Sequence, residues 1–277
     1  MTARAPLPVK DRIPVRRLGL KPGDHIDKHF HGGDPFLSAF LGAMSTVFPD
    51  GERFFIDSVR HYQADLKDPE LLAQVKGFIG QEAHHGQEHE AFNDWLQEKG
   101  YPVAMTLERI RNGLNLARER MSPRRQLAMT IALEHFTAIM ANQILKDPAM
   151  SEQMHPEMRE LFIWHAVEET EHKAVAYDVY QTVDGGYWNR VLTMLEITLF
   201  FWLVIGRITW RYLRSDGHAN PKQLWRGLTW LLGRPGPLRR IIPDYLAYFR
   251  PGFHPWEQDN RELIRPLQAR MAQYQIK

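Results

Sequence analysis

The chain contains no cysteine. That absence excludes disulfide staples, thiolate metal sites and a cysteine nucleophile, and it fits a reducing compartment. An excess of one charge is lacking as well: 35 Lys and Arg against 33 Asp and Glu leave a formal net charge of +2, so whole-chain electrostatics does not point to nucleic acid as a partner. The first thirty residues have no apolar core of the secretory kind; prolines, charges and "HIDKHFHGG" read as an extended arm over 1–34. Strand-like alternation is scarce and no long internal repeat is visible. Apolar residues make up 44% of the 277 positions, enough for a buried core.

What the chain does carry is helical punctuation. The pattern predicts a helix from about Pro35 to Phe48 and another beginning at Pro49, where proline suits a first turn. A longer helix is expected from near Pro69 to Glu98, closed by Gly100 and Pro102, and a shorter one from Ala104 to Arg120. Ser122 reads as an N-cap and Pro123 as the first residue of a helix to about Leu145. After the loop "KDPAMSEQMHP", a single helix is expected from Pro156 to about Val183, stopped by "DGG". The fold class is therefore all-α, a bundle of at least four long helices over 35–185 with a helical extension over 186–277. In that extension Leu192 to Trp210 is strongly apolar, yet its uninterrupted run "ITLFFWLVIG" is about half the roughly 20 residues of a membrane span. A buried or dimer-forming helix is the plain reading. From Arg207 to Arg250, nine basic residues face two acidic ones, with Trp210, Trp225 and Trp230 interleaved. This suits peripheral contact with anionic lipid through 190–250, or equally a solvated basic face over packed tryptophans.

The stretch "GQEAHHGQEHEAF", Gly80 to Phe92, crowds three histidines and three glutamates onto one helix. At about 100° per residue, Glu82 and His85 sit about 60° apart and one turn along, so a carboxylate and an imidazole can reach the same ion. His89 falls in the same arc, while His84 and Glu88 point to the other side. The spacing returns in "WHAVEETEHKAVAYDVY" as Glu169 and His172, among apolar flanks. Glu52 in "FPDGERFFIDSV" and Glu134 in "AMTIALEHFTAIMANQIL" are single carboxylates within core-like runs. Burying an ionised glutamate without a partner costs several kcal/mol, and a bound cation removes that cost. Four helices thus offer Glu, Glu-x-x-His, Glu and Glu-x-x-His, the dinuclear carboxylate pattern of ferritin-like bundles. Glu168 also stands one turn from His172, and the repeated motif is what favours Glu169. Glu168 and His89 are expected to support the ligands, Glu168 by accepting an N–H from a ligand histidine. His61, His135 and the histidines of the arm are taken as surface residues.

"GQEAHHGQEHEAFN", "ALEHFTAIMANQIL" and "WHAVEETEHKAVAYDVY" resemble a bacterial family described as predicted metal-dependent hydrolases, and the similarity extends to the tail with "YFRPGFHPW". The ligand pattern alone is similar to that of the di-iron arylamine N-oxygenases, which carry a further histidine four residues before the glutamate of the last motif. Carried onto this chain, the resemblance implies Glu52, Glu82, His85, Glu134, His165, Glu169 and His172 as ligands, with Glu134 and Glu169 bridging; otherwise His165 is a supporting or core histidine. Carboxylates mixed with imidazoles suit iron, with manganese or zinc as alternatives. The expected function is an O2-activating oxygenase or oxidase with two iron ions, acting on an apolar small molecule and drawing on an unidentified electron donor. A dinuclear hydrolase is the first alternative. The second is a non-enzymatic iron-binding or membrane-associated bundle. A cytoplasmic protein, attached at the membrane surface or free and open to forming a homodimer, fits these features.

Overall fold

The structure, a computed structural model, describes residues 12–234 and 236–276. Residues 1–11 of the expected arm lie outside the described residues. The long helices are α1 (Pro35–Arg60), α2 (Pro69–Glu98), α3 (Val103–Arg120), α4 (Pro123–Lys146), α5 (Pro156–His172), α6 (Val175–Val183) and α7 (Tyr187–Ser215). After them come α8 (Pro221–Leu228), a π-helical turn at Thr229–Gly233, the short α9 (Pro237–Arg240) and α10 (Ile242–Ala247), and α11 (Arg261–Met271). Among the described residues the chain is all-α, with two isolated bridges, Arg16 to Gln275 and His31 to Met154, in place of any strand.

Helix starts follow the local chemistry. Proline occupies the first position of α1, α2, α4, α5 and α8, where its missing N–H costs nothing. Asp34, Asp68, Ser122 and Asn220 cap four of them by accepting backbone N–H groups. Helices α1, α2, α4 and α5 pack on one another, and α7 lies across α1 and α4. Two apolar clusters result, one around Phe54, Phe78, Leu127 and Tyr180, the other around Phe36, Phe92, Trp95 and Trp164. Along both α1 and α2, the polar residues of interest fall between these clusters.

Two helix boundaries differ from expectation. The first helix does not stop at Phe48: α1 runs through Pro49 without interruption. Proline at that place leaves the Ser45 carbonyl without its i+4 donor. Asn93 on α2 replaces it, donating Nδ2–H to Ser45 O at 3.3 Å, so a neighbour repairs what the sequence breaks. Conversely, the helix expected over Pro156–Val183 is divided into α5 and α6 at Lys173 and Ala174. Neither is a breaker by propensity. The Lys173 side chain is buried and its Nζ donates to Gln258 O (2.6 Å) and Asn260 Oδ1 (2.8 Å), tying this point to the C-terminal segment.

The described part of the arm lies against the bundle. It runs along α2 where Gly77 and Gly80 stand: a Cβ at either position would come within 2.6 Å of Ile13 or Val15. Ile13, Arg16, Ile26 and Phe30 are buried there. Glu88, expected to face away, is buried too and accepts the Gly19 and Leu20 N–H groups at 2.7 and 2.6 Å. His31 and His135 are likewise buried, each with Nε2 at 3.1 Å from a backbone carbonyl, that of Met150 or Asp244.

Candidate metal centre

The structure brings together all seven residues of the implied ligand set. Glu52 comes from α1, Glu82 and His85 from α2, Glu134 from α4, and His165, Glu169 and His172 from α5, and every one is buried. Glu169 Oε1 is the meeting point of the imidazoles: it lies 3.0 Å from His165 Nε2, 3.5 Å from His172 Nε2 and 3.7 Å from His85 Nδ1. His172 Nε2 is also 2.9 Å from Glu82 Oε1 and 3.7 Å from Glu134 Oε2. Glu52, Glu82 and His85 present ligand atoms within 4.8 Å of one another, as do His85, His165 and Glu169.

Both carboxylate oxygens of Glu52, both of Glu134, Glu169 Oε2 and His85 Nδ1 are buried without a hydrogen-bond partner. Such orphans are costly, about 1–3 kcal/mol each and more when charged. A concentration of them at one point, all of metal-ligating type, fits bound metal better than any protein–protein network.

Without a cation the electrostatics is strained. Burial, with Glu82, Glu169 and Glu134 adding like charge, pushes the Glu52 carboxyl well above its ordinary range. Glu134 is raised well above for the same reasons, burial first and then Glu82 and Glu169. Burial also raises Glu82, against the opposing pull of His172. For Glu169, burial acts upward, but His172 and His165 together outweigh it and hold the carboxyl well below its usual range. His172 shows the reciprocal effect: burial acts downward, yet Glu169 and Glu82 raise it well above an ordinary histidine. His85 and His89 are depressed by burial and by His165.

The outer nitrogens of the three histidines are all engaged, which fixes the inner ones toward the cluster. His85 Nε2 donates to Glu168 Oε2 (3.1 Å), and Glu168 Oε1 accepts from Arg16 Nη1 (3.0 Å). His172 Nδ1 donates to Gln81 Oε1 (2.8 Å), and Gln81 Nε2 donates to Glu171 Oε2 (2.7 Å). Glu171 in turn takes both guanidinium arms of Arg16, at 2.8 and 2.9 Å. Arg16 therefore anchors two of the three imidazoles. The third follows another path. His165 Nδ1 donates to His89 Nε2 (2.7 Å), His89 Nδ1 to Ser45 Oγ (2.9 Å), and Ser45 Oγ to Asn93 Oδ1 (3.2 Å). Asn93 is turned this way because its Nδ2 serves the carbonyl freed by Pro49. The proline inside α1 thus helps decide which nitrogen of His165 faces Glu169.

Glu168 and His89 stand next to the ligand set, touching His85 and His165 respectively. Arg16, Gln81, Glu171 and Ser45 escaped the reading of the sequence. Gln81, adjacent to Glu82, and Glu171, adjacent to His172, carried a signal by their place in the motifs. Outside the cluster, His29, Asp216 and His218 also lie together, but Lys28 and His29 already bond both oxygens of Asp216.

An apolar cavity of about 120 Å³ reaches the cluster at His165 and Glu169. Leu37, Met44, Phe48, Met140 and Ile144 wall it, and Trp230, Leu231 and Leu238 lie among its other lining residues. Phe48 packs on both His89 and His165, with ring centroids 4.7 and 4.8 Å apart.

A sequence profile described as "predicted metal-dependent hydrolase" matches residues 14–259. No curated protein and no solved structure matches the chain significantly.

Proposed function

We propose that this chain, which belongs to the family of predicted metal-dependent hydrolases, is a dinuclear metal enzyme that activates O2 against an apolar small molecule. The observation that carries the reading is the junction of two features: a buried set of four glutamates and three histidines without thiolate, and a cavity walled by hydrocarbon side chains that ends on it. Such hard and borderline donors suit iron over copper(I) or structural zinc. Glu169, whose Oε1 is near all three imidazoles, and Glu134, whose Oε2 is 3.7 Å from His172 Nε2, would both hold the metal. Glu52, Glu82 and the histidines would complete the set that holds it. Bound there, a pair of iron ions supplies the electrons for O2 chemistry that side chains lack.

The rest of the work belongs to the chain. Arg16, through Glu168 and through Glu171 with Gln81, holds His85 and His172 with their inner nitrogens free. His89 accepts from His165 Nδ1 and donates to Ser45 Oγ, which sets the ring orientation of His165. Phe48 packs on His165 and His89, and with Met44 and Leu37 it gives the cavity a hydrocarbon wall. The cavity selects for apolar shape, because little on its wall can hydrogen-bond a polar substrate.

The test is to load the protein anaerobically with ferrous iron and follow O2 with an electrode. Two irons per chain and O2 uptake that stops in Glu134→Ala support the reading. The family description favours hydrolysis, in which a metal pair activates water. Absence of O2 uptake together with manganese- or zinc-dependent ester cleavage would establish that reading instead.

A further inference from the structure

Exposed apolar surface is gathered on one side of the molecule. On α7, Trp188, Leu192, Leu195, Leu199, Leu203 and Trp210 fall within an arc of about 80°. All are exposed, Leu199 at 66% and Trp188 at 69%. The opposite face is occupied, with Met194, Ile205, Ile208 and Tyr212 buried in the bundle. The exposed stripe continues onto the elements that follow through Trp225 (74%), Leu228, Leu232, Ile242 and Leu246. Between the two parts runs an apolar groove of about 460 Å³. Phe40, Leu231, Leu238 and Ile241 wall both this groove and the cavity at the metal centre, so one layer of side chains divides them.

Clustered apolar exposure of this kind marks a contact surface, and the charges around it say with what. Arg207, Arg214, Lys222, Arg234 and Arg239 are all exposed, and none has an ion pair among the described residues. The acids nearby are engaged: Glu196 pairs with Arg125, and Asp244 Oδ2 accepts from Gln258. A second copy of the chain would bring the same unpaired cations with only these acids and Asp216, itself held by Lys28 and His29, to meet them. A layer of phosphate headgroups meets all five. Trp188, Trp210 and Trp225 supply rings with an apolar body and a polar N–H, suited to the boundary between headgroup and acyl chain. Helix α7 is long and apolar enough to cross a bilayer, but 39% of its apolar window is buried in the protein, so it has one face to offer and lies flat.

We propose that this face docks on an anionic lipid surface, with the apolar stripe of α7 at the acyl boundary and the arginines among the phosphates. The docking goes beyond the chemistry proposed above and holds whichever reaction the centre performs. It turns the groove toward the membrane, where apolar molecules concentrate.

The experiment is co-sedimentation of the metal-loaded full chain with 3:1 phosphatidylcholine–phosphatidylglycerol vesicles at low salt. The protein pellets with them, and its partition coefficient is lower by about tenfold or more on pure phosphatidylcholine or in high salt. Leu199→Glu with Leu203→Glu, and separately Arg207→Glu with Arg214→Glu, each lower it by a similar factor while melting temperature and metal content stay at parent values. Because the chain has no cysteine, Leu199→Cys gives one labelling site. A polarity-sensitive dye there shifts to the blue on docking. The proposal is overturned if the parent stays in the supernatant, if the charge and leucine variants pellet like the parent, if the dye does not shift, or if light scattering shows a dimer that the leucine variant dissociates.

Discussion

Replacing Arg16 by methionine tests how the centre is held. Its side chain and those of Glu168 and Glu171 are almost wholly buried, at 4%, 0% and 5% exposure, so solvent screens the interaction little. Three charge-assisted hydrogen bonds vanish, and two carboxylates stay behind without their cation. Removing one partner of a buried ion pair costs about 3–5 kcal/mol. With an unfolding entropy near 0.6 kcal/mol/K for a chain of this length, a loss of about 4 kcal/mol lowers Tm by roughly 7 °C. The same substitution unpins the outer nitrogens of His85 and His172, so metal affinity falls about 10–100-fold. Calorimetric melting of the metal-free protein and chelator competition with metal analysis read the two effects separately. Arg16→Lys falls between parent and methionine, since an ammonium keeps the charge but not the two-armed geometry. Adding Glu168→Gln to Arg16→Met restores part of the stability, because it removes a stranded charge and keeps an acceptor for His85. If Arg16→Met melts within 2 °C of the parent and retains metal as tightly, the anchoring role assigned to Arg16 is wrong.

Three further outcomes follow from the cluster and its cavity. Metal loading releases protons, because Glu52, Glu134 and His172 are all raised in the metal-free protein and their protonated forms must lose a proton to bind a cation; titration calorimetry in two buffers of different ionisation enthalpy measures this, a count of zero refutes it, and the same linkage makes the metal dissociate as pH falls. Glu134→Leu abolishes metal binding yet raises the melting temperature of the metal-free protein, since a buried carboxyl with two orphan oxygens, a cost of about 1–3 kcal/mol, gives way to hydrocarbon; a lower apo melting temperature would show that the carboxyl is stabilising as it stands. Ala141→Leu, which fills part of the cavity of about 120 Å³, weakens binding of a probe such as 1-octanol by about tenfold without changing metal content; unchanged octanol affinity would place the substrate elsewhere.

The sequence displayed the converging side chains through a repeated Glu-x-x-His spacing and through single glutamates that interrupt apolar helical runs. Glu134 stands among Ile131, Ala132, Phe136 and Ile139, all buried, and a carboxyl in that company has to be explained. Helix starts were equally legible, since Asp, Ser or Asn before proline is a local signal with a local cause. What escaped depends on distant partners. No propensity foretells that α1 survives Pro49, because the repair comes from Asn93, 44 residues away from it in the chain. The division at Lys173 has the same character: the residues that draw its ammonium aside, Gln258 and Asn260, lie in the tail. Arg16 was least visible of all, for it sits in irregular chain with no period to betray that it is buried.

The two readings of the centre ask opposite things of its surroundings. Hydrolysis needs water at the metal pair and a proton for the leaving group. Among the polar groups on the cavity wall, Thr137 Oγ1 donates to Glu134 O and His31 Nε2 is engaged with Met150 O, while Gln143 and Trp230 also line it and could serve a polar substrate. Oxygen chemistry needs the reverse, a small apolar chamber that admits O2 and hydrocarbon and holds back water. Phe48, Met44 and Leu37 give the cavity a hydrocarbon wall, and the outer nitrogens of His85, His165 and His172 are held by hydrogen bonds within the protein. The donor atoms alone would serve either reaction. In the proposed oxygen reading the wall in front of them matters, and opening it, by Phe48→Ser, is the change that should favour water at the centre and hydrolysis over oxidation.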